Sequence, residues 1–318
     1  MRYMLIGEYI KSRRLDMELK QEDVFEGICS AATFSRLENN KQTPGRSTIN
    51  ALLNRLDLPD DRFFALLSEQ ELRIDVLRKS IRGDQILFKK ATAENRPAIR
   101  ERALQKLAEL EQVMDKDDAV TLQYIRSTKI TLGKPEGPYC FQERLDLLME
   151  AIRLTIPRFD LDKIDQFRYS LEEMAILNKI ALTYSREGKL KEAVSIYSQL
   201  LMYIEKNDVE LPNNLNHFCL ISHNYAIALA KEQQYKQAIE IAERGQQMGI
   251  MYGDYLQLPG FLAIQAECYF FLGEKEKSAC LYFQACYLYK AINDEHEFRH
   301  IQQEMYEHLG LKLPDYAV

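Results

Sequence analysis

Apolar residues recur at spacings of three and four along almost the whole chain, and alternating β-branched runs are scarce, which predicts helices throughout. Glycine and proline fall between the periodic segments rather than inside them. Over residues 1–67 the pattern predicts five short helices, at about Ile6–Leu19, Gln21–Ile28, Ala31–Asn39, Ser47–Leu56 and Asp60–Leu67. The breaks come at Lys20, Cys29–Ser30, Thr43–Gly45 and Leu58–Pro59. A longer, charge-rich helix is expected from Glu69 to about Thr92, connecting the small domain to the body. Pro97, the Gly133–Pro138 segment, Pro157, Pro212 and Pro259 punctuate the rest.

The body repeats itself. Ala181–Tyr184, Glu187-Gly188-Lys189 and Ala193–Tyr197 read as small residue, aromatic, turn, small residue, aromatic. The frame returns as Ala226–Leu229, Gln233–Tyr235 and Ala238–Ala242, and again as Ala266–Tyr269, Gly273-Glu274-Lys275 and Ser278–Tyr282. In each copy the first small residue lies about twelve positions before the second, which suits two antiparallel helices meeting where only small side chains fit. This is the tetratricopeptide pattern, stretched to about 40–45 residues from the roughly 34 of the standard unit. Long helices and loops such as Lys206–Leu215 absorb the difference, and Gln85–Met114 and Val120–Thr155 are expected to be weaker helical pairs. The expected fold class is all-α: a five-helix head over 1–67, a linker helix and start of repeats over 68–95, and a right-handed tetratricopeptide-like superhelix over 96–318.

Composition changes this picture little. The charged fraction of 28% is ordinary for a soluble globular protein, no apolar run approaches the roughly 18 residues of a membrane span, and the polar N-terminus is unlike a signal peptide. Six cysteines (Cys29, Cys140, Cys219, Cys268, Cys280, Cys286) without C-x-x-C spacing are expected to be reduced, mostly buried thiols in a cytoplasmic protein. A net charge of −6 argues against a chain that coats nucleic acid, but phosphate binding is set by the local face, and Arg13, Arg14, Lys20, Arg36, Lys41 and Arg46 all lie in the first segment.

That segment carries the candidate chemistry. Lys20–Asn40 reads as two short helices around a tight turn, a candidate helix-turn-helix whose second helix would enter a DNA major groove. Ser30 is a good N-cap, Ala31, Ala32, Thr33 and Ser35 are short enough for close approach, and Arg36 and Lys41 reach phosphates or a guanine edge. Val24, Ile28, Phe34, Leu37, Ile49, Leu52 and Leu53 form the apolar face that holds the helices together. The alternative for this region is a helical dimerisation module, and for Arg36 a solvated surface charge.

The segment resembles the phage-repressor-like, Xre/Cro-type family through Gln21-Glu22, Ser30, Ser35-Arg36-Leu37-Glu38, Lys41 and Pro44. The resemblance implies DNA contacts from Gln21 and from the start of the second helix, and pairing of Glu38 with Arg13 or Arg14. Lys20, where the family carries a Ser or Thr cap, and Phe25, where it carries a small residue, depart from the pattern.

In the body, Asn178, Asn224 and Gln265 each precede the small residue of their own repeat by about one helical turn or less. An amide there offers donor and acceptor to an extended peptide, although local helix-packing partners would account for it equally. Tyr184, Tyr197, Tyr269, Tyr282, Tyr287 and Tyr289 are expected to be core. The strings EGICSAA, ILNKIALTY, HNYAIAL and IQAECYFFLG resemble those of the peptide-sensing regulators of Gram-positive bacteria of the PlcR, Rgg and PrgX types, over essentially the full length. That resemblance implies peptide contacts from Asn178, Asn224 and Gln265 and a peptide carboxylate held by Lys89 and Lys90. It also implies a homodimer reading a near-palindromic double-stranded DNA operator, and quorum sensing through a short signalling peptide.

No enzyme, cofactor, metal or membrane role is expected. The five histidines lack H-E-x-x-H spacing, and there is neither a phosphate-cradling glycine loop nor a G-x-S-x-G. Two other readings stand beside the peptide-controlled regulator: a DNA-binding regulator whose repeats bind a protein partner, and a repeat scaffold that does not bind DNA.

Overall fold

The computed structural model describes residues 5–58, 69–134, 137–206 and 211–313. The chain divides into two compact units, Met1–Ile180 and Ala181–Val318. All regular structure among the described residues is helical.

The first unit opens with α1 (Ile6–Asp16), α2 (Gln21–Phe25), α3 (Ala31–Glu38) and α4 (Arg46–Arg55). The expected fifth helix, Asp60–Leu67, lies outside the described residues. Ile10, Val24, Phe34, Leu37, Leu52, Leu53 and Leu56 are fully or almost fully buried, and Val120 packs against the same core. Each such side chain stabilises by about 1.5–3 kcal/mol relative to an exposed one. One close approach was invisible in the pattern: a Cβ on Gly7 would stand 1.8 Å from the carbonyl oxygen of Leu37, so α1 crosses the end of α3 at a point where only glycine fits.

The unit continues with α5 (Glu69–Lys90), α6 (Arg96–Val113), α7 (Ala119–Leu132), α8 (Phe141–Arg153) and a 3-10 segment at Leu161–Gln166. Leu77 and Ile81 of α5 are buried with Ala103, Leu107 and Leu110 of α6 and with Tyr124 and Ile125 of α7. The helix expected to be a connector is thus a packed member of the first pair, which begins before Gln85. Its partner α6 opens with Pro97 in its first turn, where the missing N–H costs nothing. The expected pair over Val120–Thr155 is α7 and α8, separated at Gly133, whose φ of +74° favours glycine.

The unit boundary falls inside α9 (Leu171–Arg186). The second unit carries α10 (Leu190–Lys206), α11 (Leu211–Lys231), α12 (Tyr235–Tyr252), α13 (Leu258–Phe271), α14 (Lys275–Ala291) and α15 (Glu295–Leu309). Leu211–Leu215, expected in a loop, are already helical in α11. All six small residues of the repeat frame, Ala181, Ala193, Ala226, Ala238, Ala266 and Ser278, are completely buried. At the last crossing the Ser278 hydroxyl donates to the Ala266 carbonyl at 2.8 Å. The turns repeat as well. Gly188, Gln233, Gly273 and Asn293 have positive φ, and the N–H groups of Lys189, Gln234, Glu274 and Asp294 close on the carbonyls of Tyr184, Leu229, Tyr269 and Tyr289. This left-handed closure satisfies carbonyls that the ending helix leaves open. Tyr197 and Tyr282 are core as expected, whereas Tyr287 is exposed.

Candidate functional site

The two short helices and their turn sit as the sequence predicts. The Ser30 Oγ accepts from the Thr33 N–H at 3.1 Å, capping α3. Phe34 and Leu37 point α3 into the core, which turns Ala31, Ala32 and Arg36 out to solvent. Ser30 and Lys41 are also exposed, and Thr33 and Ser35 are half-buried beside them. The Arg36 guanidinium leans on the Gln42 side-chain oxygen at 3.4 Å, so Gln42 joins this face although the sequence pattern gave no reason to single it out. Short side chains beside one exposed guanidinium make a surface able to approach base edges and phosphates.

The support beneath that face is ionic. Arg14, rather than Arg13, pairs with the buried Glu38, donating from Nε at 2.6 Å and from Nη2 at 3.1 Å. The Gln21 amide nitrogen donates to the same carboxylate at 2.6 Å and is thereby fixed at the start of α2. Arg13 instead donates to the Leu56 carbonyl. Lys20 supplies no side-chain cap, but its backbone N–H donates to the Asp23 carboxylate at 2.8 Å, the reverse half of a capping box. Phe25 is accommodated by tilting against Phe34, with ring centroids 5.7 Å apart.

A second network ties this head to the helices that follow. Arg55, 2% exposed, donates from Nη1 to the carbonyls of Val24 (3.1 Å) and Glu26 (2.8 Å), and from Nη2 to the Thr155 carbonyl (3.3 Å) and the Glu173 carboxylate (2.8 Å). Glu173, 1% exposed, also accepts from the Thr155 hydroxyl at 2.5 Å and from the Ser170 N–H at 2.6 Å. A Cβ on Gly27 would stand 1.7 Å from the Thr155 carbonyl oxygen, at a φ of +77°. At the rim, Arg158 spans Glu22 and Glu26, Arg168 faces Asp57 at 3.5 Å, and Ser47 donates to Asp118 at 2.6 Å. Arg46 pairs with Asp75 of α5. These contacts leave Ala31, Ala32 and Arg36 uncovered.

Among the candidate peptide contacts, Asn178 is buried on α9, Asn224 is half-buried on α11, and Gln265 is buried on α13 with its amide nitrogen donating to Gln246 at 2.7 Å. Lys89 is exposed near the end of α5, and the side chain of Lys90 lies outside the described residues. Sequence reasoning passed over Lys179, next to Asn178. Its ammonium donates to the Ser127 carbonyl of α7 at 3.2 Å, and burial, with some help from Lys89, pushes its pKa down to about 8. It also passed over His223, whose ring meets Phe261 edge-on at 5.6 Å and fills the space above Gly260, where a Cβ would stand 2.3 Å from Nε2. Burial pushes this imidazole down to about 4, so it is neutral near pH 7. Glu267, facing Glu304, is pushed up to about 7 by burial and by that second carboxylate. Cys219, Cys268 and Cys286 are buried, while Cys140 and Cys280 are exposed.

No protein-family model and no curated protein matches this sequence. Solved structures do match. PlcR of Bacillus thuringiensis, in complex with the peptide PapR7 and DNA, superposes with a TM-score of 0.59 at 17% identity, covering 93% of this chain and 98% of that one. The apo form of PlcR matches with a TM-score of 0.57 at 16% identity, covering 96% and 98%. At these identities the likeness is one of fold: this chain has the all-α architecture of a helix-turn-helix head followed by tetratricopeptide-like pairs. No helix among the described residues is long and apolar enough to cross a membrane.

Proposed function

We propose that this protein is a sequence-specific DNA-binding transcriptional regulator, controlled by a short signalling peptide that binds the concave face of its helical repeats. The observation that carries the reading is α3. It is capped by Ser30, is anchored by Phe34 and Leu37, and presents Ala31, Ala32 and Arg36 to solvent above a buried Arg14–Glu38 pair. In this reading Ser30, Ala31, Ala32, Thr33, Ser35, Arg36 and Lys41 face the DNA, with Gln21 at the edge of the contact. Asn178, Asn224, Gln265, Lys89 and Lys90 hold the peptide. The chain works as a homodimer in the cytoplasm on a near-palindromic operator, because one small head with nearly balanced charge makes few phosphate contacts. The likeness of the whole chain to a peptide- and DNA-bound PlcR supports the pairing of these two activities in one architecture.

The test is selection of duplexes from a randomised library by the full chain, followed by gel-shift titration of the selected sequence. A specific, salt-dependent shift is expected, and Arg36→Ala should weaken it and lower the salt slope by about one. Failure of the wild-type chain to enrich any sequence would exclude the DNA-binding reading. Peptide control is tested by a thermal-shift screen of short peptides encoded beside the gene, with Asn178→Ala and Asn224→Ala expected to abolish the response.

A further inference from the structure

The Arg55 guanidinium is shared evenly between two bodies of structure. Two of its hydrogens reach the backbone at the end of α2, at Val24 and Glu26 where the turn begins, and two reach Thr155 and Glu173. A buried ion pair is seldom the most stabilising way to fill such a space, since apolar side chains of similar volume do as well or better. What it adds is geometry: four directed bonds fix where the turn sits, and Gly27 pressed against the Thr155 carbonyl removes the remaining slack. Three residues later Ser30 starts α3, so a displacement of Thr155 or Glu173 is passed to the reading helix with little chain between to absorb it. On the other side, Glu173 lies in the first turn of α9, and Asn178 and Lys179 follow on the same continuous helix. Six residues of helix separate Glu173 from Lys179, about 9 Å.

We propose that Arg55 and Glu173 are positioning residues for DNA reading, and that α9 is the arm that links the peptide-contacting region around Asn178, held to α7 by Lys179, to the turn before α3. This rests on the DNA- and peptide-binding reading above and adds the route between the two sites. In this arrangement α5 also meets the head, through Arg46 and Asp75, but the fully buried connection runs through the start of α9. Thr155 completes the junction: its hydroxyl accepts from Gln123 of α7 at 2.6 Å while donating to Glu173, so α7, the segment after α8 and α9 converge on the one carboxylate that Arg55 grips.

The experiment uses the full chain with Glu173→Gln, the milder Thr155→Val, and Lys179→Met, which has no donor for the Ser127 carbonyl and so releases α9 from it. Amide hydrogen exchange is measured over residues 24–30 against α1 and α6, and DNA affinity is measured on the duplex selected by the wild type. Glu173→Gln should raise exchange over 24–30 by about tenfold, with Thr155→Val smaller in the same direction and α1 and α6 unchanged, corresponding to ~1.4 kcal/mol of local opening. DNA affinity should fall severalfold while its salt slope stays that of the wild type, because no phosphate contact is removed. Lys179→Met should raise exchange over 24–30 at least twofold. Unchanged exchange over 24–30 in Glu173→Gln, or loss of protection across all of 5–58 in both Glu173→Gln and Thr155→Val, overturns the positioning role; no effect of Lys179→Met overturns the arm. If the wild type selects no duplex, the DNA-binding reading fails, and exchange still decides whether α9 holds the turn.

Discussion

The junction around Arg55 and the crossings of the second unit solve the same problem, holding helices in a fixed register, by opposite means. In the second unit the contact is made by absence: Ala181, Ala193, Ala226, Ala238, Ala266 and Ser278 are small, so backbones meet, and the same left-handed turn closes each pair. At the junction it is made by charge, with Arg55 and Glu173 buried to 2% and 1% exposure. Small-residue crossings are the more tolerant of the two, because a change of volume there is felt but is partly absorbed by shifts of neighbouring side chains. A buried charge pair is intolerant, because removing one partner leaves the other desolvated without compensation. Where a protein must stack similar units, the tolerant device suffices. Where a reading helix must sit at one angle, the intolerant device suits it better.

The comparison is sharpened first by Glu173→Ala, which should destabilise the first unit by about 3–5 kcal/mol in urea unfolding followed by circular dichroism. A loss below ~1 kcal/mol would erase the distinction. Next comes Ala226→Leu, which forces a larger side chain into a completely buried crossing and should cost about 1–3 kcal/mol. A cost equal to that of Glu173→Ala would mean that both devices are equally unforgiving.

Smaller and dependent on pH is Glu267→Gln in the second unit. The folded-state pKa of Glu267 is raised to about 7, so its neutral form is the one the fold accepts, and the stability it allows is full below about 4.5 and lost as pH rises through 7. Part of this carboxyl is open to solvent, so the variant should gain only ~1 kcal/mol at pH 8 and nothing at pH 4.5. Melting temperatures at the two pH values check it, and an equal shift at both would show that charge is not the cause. Smallest is Arg158→Ala, which removes an exposed bridge to Glu22 and Glu26 and should change stability by less than ~0.5 kcal/mol. A large loss there would place the junction's strength at its rim rather than in its buried centre.

Much of the head and of the repeats was legible in order. The starts of α2, α3 and the Glu69 helix follow from periodicity and from Ser30, because a cap and an apolar face are local properties. The six small residues of the repeat frame were found from spacing alone, since each helical pair solves the same packing problem at the same interval. The exposed set on α3 followed once Phe34 and Leu37 were assigned to the core. Less legible were the choice of Arg14 over Arg13 for Glu38, the engagement of the Gln21 amide, and the packed role of α5. Neighbouring residues in one chain look alike, and only the crossing angle of α1 on α3 separates them.

By itself the sequence determined the helical class, the capped second helix of the helix-turn-helix and the repeating crossings, because helix periodicity, capping and small-residue spacing act over a few turns of one chain. Only the tertiary structure decided that Arg55, Gly27, Thr155 and Glu173 meet. They are separated by up to about 146 positions along the chain, and nothing in the local pattern around an arginine at the end of one helix or a glutamate at the start of another announces a partner. A lone charged residue reads as solvated until the fold has removed the water around it.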